Sequence, residues 1–287
     1  MNSSEKHNVP LLGADVPGES ADGIRLCCAC RGALPGLPDG EFSIDGIMII
    51  LCHQGEAEIT IDGKRHKLAA GSVAILPEKH IIRAGAHSED VCRSMLFVST
   101  DFILDMPSPI DTNIFVYSRF IPVIDVSAEK LEDFGSHLRF IGKELKERGR
   151  YRTQIIKSLI YALLLELTAE YEEHCDLGGK GRIRDESLSD SFFRLLAANF
   201  REQRSVSWYA GRLSLTPKYL SQVIRHNTGR SILDWIHESV MIEAKMLLKT
   251  SGMTVQQISD LLNFSSPSAF VQFYRRHGGV TPGRERG

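Results

Sequence analysis

Two stretches fifty residues apart obey the same local rules, and no other feature restricts the possible folds of this chain as much. Residues 213–229 read LSLTPKYLSQVIRHNTG, with Thr216 and Pro217 opening a run that closes at Gly229. A Thr hydroxyl accepts from free N–H groups of a first helical turn, and Pro at the first position forfeits only an N–H that has no helical partner. Gly closes the helix because it tolerates the left-handed conformation. Lys218, Gln222 and Arg225 fall on one face, while Tyr219, Leu220, Val223 and Ile224 are expected on the other. Residues 265–279, SSPSAFVQFYRRHGG, repeat the pattern: Pro267 answers Pro217, Phe270 answers Leu220, Gln272 answers Gln222, Arg275 answers Arg225 and Gly279 answers Gly229. This is an internal repeat.

Each copy follows another short amphipathic segment, Val206–Leu213 in the first and Val255–Leu262 in the second, with a small residue, Ala210 or Ser259, where a crossing helix would approach closely. Helix, tight turn and second helix opened by a cap and Pro is the helix-turn-helix pattern. Between the copies, residues 231–248 predict one longer helix, with Ile232, Leu233, Ile236, Val240, Ala244 and Leu247 near one face. At 1.5 Å per residue it spans about 27 Å. That length suits holding two second helices about one DNA turn, ~34 Å, apart.

The stretches VSWYAGRLSLTPKYLSQVIRHNTGRSILDWI and TVQQISDLLNFSSPSAFVQFYRRHGGVTP resemble the DNA-binding domain of the AraC/XylS transcriptional regulators. The resemblance implies an all-α domain over residues 188–287 with two helix-turn-helix units that bind double-stranded DNA. Charge agrees: residues 188–287 hold 3 Lys and 10 Arg against 3 Asp and 4 Glu, a net of +6 in a chain whose total is −2. A basic end on an acidic body points to phosphate contact there. Lys218, Ser221, Gln222 and Arg225 are the expected groove-facing residues of the first unit, and Ser268, Gln272, Arg275 and Arg276 those of the second. Gln pairs with adenine edges and Arg with guanine edges, whereas peripheral Arg and Lys more often hold phosphates.

The other residues suggest a second domain. Residues 1–22 show turn formers and weak periodicity, which predicts a mobile tail. Over residues 23–126, IMIILCHQ, EAEITIDG, KRHKLAAG, SVAILPEKH and VCRSMLFVS are short and β-branched or alternating, the signature of a small barrel or jelly roll. Asp62-Gly63 predicts a hairpin turn between Glu56–Ile61 and Lys64–Leu68. The stretch GEAEITIDGKRHKLAAGSVAILPEKHIIRAG resembles the cupin-like sensor domain of AraC-type regulators, which implies a small-molecule effector. His53, His80 and Arg83 are its candidate contacts at a barrel mouth, beside the alternative that they are plain surface or core. His53 lacks the second His that metal-binding cupins place two positions away, so no metal and no cofactor is expected. Strict strand alternation puts only Cys28 and Cys30, not Cys27, on one face, and the six Cys are expected as free thiols in a reducing cytoplasm. A thiol sensor, or a cupin-type enzyme fused to a DNA-binding domain, is the alternative.

Residues 127–173 carry apolar residues at helical spacing, Leu131, Phe134, Leu138, Ile141 and Leu145, then Ile156, Leu159, Ile160, Leu163, Leu164 and Leu167. In the resembling family, helices at this place commonly form a homodimer contact. Residues 174–187 read as a linker. No window approaches the roughly 20 apolar residues of a membrane span, and no signal peptide is apparent. The expected protein is an α+β multidomain, cytoplasmic regulator rather than an enzyme, acting as a dimer through DNA, an effector and, by resemblance, RNA polymerase.

Overall fold

A computed structural model describes residues 7–8, 18–21, 23–33, 37, 40–78, 80–106, 113–177 and 187–286. The chain forms two compact units: residues 1–107 with 121–170, and residues 108–120 with 171–287.

Among its described residues the first unit holds eleven strands: β1 (His7–Asn8), β2 (Glu19–Ala21), β3 (Ile24–Arg31), β4 (Phe42–Ser43), β5 (Gly46–Gln54), β6 (Glu56–Ile61), β7 (Lys64–Ala69), β8 (Ser72–Leu76), β9 (Ile82–His87), β10 (Cys92–Ser99) and β11 (Val123–Asp125). They make a five-stranded sheet, β1-β4-β9-β6-β7, and a six-stranded sheet, β11-β8-β5-β10-β3-β2. Phe42, Ile59, Ile61, Leu68 and Ile82 from the first meet Met48, Ile50, Leu76, Met95 and Phe97 from the second in one buried cluster. This is the cupin-like sandwich. Strand β6 alternates exposed and buried residues, as one solvated face requires, whereas β5 is buried almost throughout. The reason is a second cover: α1 (Thr100–Leu104) packs on β5 and β10, and α3 (Ala128–Lys146) on β2, β3, β5 and β10. The hairpin at Asp62 (φ 49°) and Gly63 (φ 83°) has the two positive φ values of a type I′ turn and pairs Ile61 with Lys64.

Three sequence expectations change here. Within the expected tail, His7–Asn8 pairs with β4 and Glu19–Ala21 with β3; apart from Gly18, the rest of that tail lies outside the described residues. The expected six free thiols give way to a disulfide between Cys27 and Cys30, while Cys52 and Cys92 remain thiols. The expected pairing of faces fails for a defined reason: Cys30 lies opposite Arg93 and Cys27 opposite Met95, so three steps on β3 match two on β10. One extra residue makes a β-bulge, and the bulge turns Cys27 and Cys30 to a common side.

Helix α4 (Arg152–Leu177) ends the first unit and enters the second. The second unit also takes α2 (Asn113–Phe120), which packs on α5 (Ser187–Asn199) and α8 (Ile232–Thr250). Around them lie α6 (Val206–Arg212), α7 (Pro217–Thr228), α9 (Val255–Leu261), α10 (Pro267–Gly278) and α11 (Pro282–Glu285). Of the expected linker, 174–187, residues 174–177 continue α4 and Ser187 opens α5, because helical hydrogen bonding runs past the last periodic apolar residue, while residues 178–186 lie outside the described residues. Among the described residues no helix is long and apolar enough to cross a membrane.

Candidate nucleic-acid interface

Both repeat copies fold by the rules their sequences obey. Thr216 caps α7 by accepting from Tyr219 N at 3.2 Å, and Ser266 caps α10 by accepting from Ala269 N at 3.2 Å. Each has Pro at its first turn, and each ends at a left-handed glycine, Gly229 (φ 72°) and Gly279 (φ 77°). The turn before α7 passes through Ser214 (φ 56°) and the turn before α10 through Asn263 (φ 52°). The left-handed residue reverses the chain so that the second helix crosses the first.

Each second helix is held from behind. Leu220 and Ile224 anchor α7, and Phe270 and Tyr274 anchor α10 at the same positions fifty residues on. Behind α7, Phe192 meets Tyr209 edge to face at 5.6 Å and Phe193 meets Trp235 at 5.5 Å. Trp235 Nε1 donates to Thr228 Oγ1 at 3.1 Å, which ties the last turn of α7 to α8. Glu238 on α8 takes Arg230 at 2.5 Å and Arg119 of α2 at 3.2 Å. Behind α10, the Arg204 guanidinium stacks over Phe264 at 3.8 Å and donates to Leu262 O. The 19 residues of α8 give a connecting rod of about 28 Å.

What remains outward is polar. At about 100° per residue, Gln222 sits mid-face on α7, with Lys218 and Arg225 to one side and His226 to the other, all exposed. On α10 the face is Gln272 flanked by Ser268, Arg275 and Arg276, also exposed. Ser221 lies at the shoulder of α7 and is half-buried. Tyr219 corrects the sequence reading, which set it on the apolar side: it is 52% exposed and borders the same face as His226. An aromatic at the edge of an apolar stripe carries no sequence signal that separates core from rim. His277, one residue beyond the α10 face, packs its ring 4.5 Å from that of His237. Partial burial, then the neighbouring Arg276, holds the His277 imidazole below its ordinary value.

The three residues expected at a barrel mouth lie apart. His53 is half-buried, alternates with the interior residue Cys52 and therefore faces α3, where its Nε2 meets Ser94 Oγ at 2.7 Å. Burial lowers its pKa from the ordinary value. His80 is buried, and its Nδ1 meets Asp62 Oδ2 at 2.7 Å, which braces the hairpin turn together with the Ile81 N–H donated to Asp62 Oδ1 at 2.9 Å. Arg83 is exposed on β9. The interior that the two sheets enclose is apolar, with His66 of β7 on the same side as Leu68. Among the described residues no three His, Cys, Asp or Glu are grouped to hold a metal ion.

Comparison with known proteins agrees with the two-part reading. The model of the AraC-like ligand binding domain matches residues 41–109, and that of a helix-turn-helix domain matches residues 209–287. The chain is similar to the arabinose operon regulatory protein of Salmonella typhimurium, 23% identical over 99% of this chain and 98% of that one. It is equally similar to the protein of that name from Escherichia coli, at 23% identity over 99% of this chain and 94% of that one. The Msm operon regulatory protein of Streptococcus mutans is 21% identical over 84% of each. The chain belongs to the AraC/XylS family, DNA-binding transcription regulators with a ligand-binding domain ahead of the helix-turn-helix units.

Proposed function

We propose that this regulator works as a cytoplasmic homodimer whose paired helices α7 and α10 read two adjacent major-groove segments, and whose barrel takes a small-molecule effector. The observation that carries the reading is the repetition of one exposed polar face, Lys218, Gln222 and Arg225 on α7 and Ser268, Gln272 and Arg275 on α10, at equivalent positions of two capped helices. Gln222 and Gln272 reach the groove floor, and Lys218, Arg225, Arg275 and Arg276 hold phosphates or guanine edges. Ser221 and Ser268 take backbone contacts at the rim, where Tyr219 joins them.

Dimerisation is supported by apolar side chains left outside: Phe140 of α3 is 49% exposed, and Ile155 and Leu165 of α4 are 39% and 42% exposed. Leu165→Asp is then expected to turn dimer into monomer in analytical ultracentrifugation; an unchanged mass would remove α4 from the contact. An effector acts by binding one arrangement of the dimer more tightly than another, which alters the half-sites bridged and the contact with RNA polymerase.

The test of the whole reading is selection of bound duplexes from a random pool by the full-length protein at several salt concentrations. Two enriched boxes about one helical turn apart, with affinity falling steeply as salt rises, are expected. No enriched motif, with the DNA-binding unit alone behaving likewise, would refute it.

A further inference from the structure

We propose that Cys27 and Cys30 form a reversible dithiol–disulfide couple on the sensor barrel, through which thiol oxidants tighten the seating of α3. This route is separate from any ligand in the barrel interior.

The bulge makes the couple. Cysteines three apart on a regular strand face opposite ways, but the extra residue on β3 brings these two together with their Cα atoms 6.3 Å apart, inside the disulfide range. The backbone between them passes through Ala29 at φ 51°, a left-handed conformation that residues with a Cβ seldom adopt. Alanine there needs a reason, and the cross-link supplies one.

The site is open to exchange. Strand β2 pairs only with Ile24–Leu26, so from Cys27 onward that edge of β3 has no strand partner among the described residues. Cys28 and Ala29 are exposed, and Cys27 and Cys30 are half-exposed. Arg31 follows directly, and Arg93, opposite Cys30, donates to Gly32 O at 2.6 Å. Exchange runs through the thiolate of a cysteine that solvent can reach. A regulator works beside the genome, where thiols are kept reduced, so a solvent-reachable disulfide there persists only while an oxidant is present.

The bulge also has a path to α3. Ala29 N–H donates to Ser94 Oγ at 3.0 Å, and that hydroxyl meets His53 Nε2 at 2.7 Å. His53 lies beneath α3, with its Cε1 3.7 Å from where a Cβ on Gly135 would be, and feels the charges of Glu132 and Arg139 on that helix. When the disulfide holds Ala29 in place, Ser94 and His53 are held with it. Once reduced, β3 relaxes toward regular pairing and this support loosens.

The chemistry is two exchanges with a low-molecular-weight disulfide, RSSR. One cysteine thiolate attacks RSSR, expels RS⁻ and forms a mixed disulfide; the second thiolate then displaces the other RS⁻. The protein loses two electrons and two thiol protons, and RSSR becomes two RSH.

The test equilibrates the full-length protein in glutathione and glutathione disulfide at graded ratios, traps thiols by alkylation and counts adducts by intact mass. A single two-thiol step is expected, retained in Cys28→Ser and absent from both Cys27→Ser and Cys30→Ser. Hydrogen exchange of the wild-type protein at the two ends of the titration, which needs no variant, is expected to slow several-fold on oxidation in residues 25–31, 92–95 and α3. Absence of the step, its survival in Cys27→Ser, or equal exchange of α3 in both states would overturn the proposal. Neither readout uses DNA, so the result stands apart from the reading of the helix-turn-helix units.

Discussion

Replacing Gln222 by Ala separates base reading from every other role the residue could have. The side chain stands mid-face on α7, exposed, uncharged and without an intramolecular hydrogen bond among the described residues, while Leu220 and Ile224 hold the helix from behind. Stability should therefore change by no more than about 0.5 kcal/mol, as for surface sites outside special features. A bidentate pair with an adenine contributes about 1–3 kcal/mol of discrimination, which is about a 5- to 150-fold loss at one base pair. Because no charge is removed, the slope of log affinity against log salt should stay the same. Fluorescence anisotropy on the selected site and all its single-base variants, at three salt concentrations, measures both quantities, and urea unfolding measures the third. A uniform loss on every sequence, or a slope that flattens, would refute the placement of Gln222 on the groove floor.

Lys218→Ala and Arg276→Ala, if these side chains hold phosphates, should weaken binding equally on all sequences and reduce the salt slope by about 0.9 each; an effect confined to one base pair would reassign them. Gly229→Ala meets nothing within 4 Å but sits at φ 72°, so it should cost about 1–2 kcal/mol on the urea transition of its own unit. Gly46→Ala would place a Cβ 2.2 Å from Val98 O, and at about 3 kcal/mol it should cost more; equal effects would mean that backbone conformation, not crowding, decides both. Burial, reinforced by Lys64 and His80, lowers the His66 imidazole to about 4. The folded ring stays neutral where the unfolded ring takes up a proton, so stability is full above about pH 6.5, falls from there to about 4 and levels below. His66→Gln should flatten that interval in unfolding measured against pH.

The parts legible in the sequence were those set by neighbours along the chain. Thr216-Pro217 and Ser266-Pro267 announce helix starts because the capping hydroxyl and the bonded N–H lie three residues apart. Asp62-Gly63 announces its hairpin because two consecutive positive φ values select those residues. The misreadings share one cause, that the deciding partner lies far away in sequence. Strict alternation separated Cys27 from Cys30, yet register with β10 inserted the bulge that joins them. His80 looked like a rim residue, but Asp62 across the hairpin draws it inside. Tyr219 belongs to an apolar stripe by count and to the exposed face by packing. Asn113–Phe120 was expected inside the barrel, residues 23–126, yet it is a helix of the second unit, and its place on α5 and α8 depends on residues some seventy or more positions on.

The sequence by itself thus determined the two helix-turn-helix units, their exposed polar residues Lys218, Gln222, Arg225, Ser268, Gln272, Arg275 and Arg276, the strand-rich body and the family. Such features follow from caps, turns and periodicities spanning a few residues, and a repeat states them twice. Only the tertiary structure decided that Cys27 and Cys30 meet, that His53 serves the seat of α3, and that α2 packs with the helical unit. Those outcomes depend on strand register and on which distant surfaces exclude water together, and neither quantity is carried by any local stretch of residues.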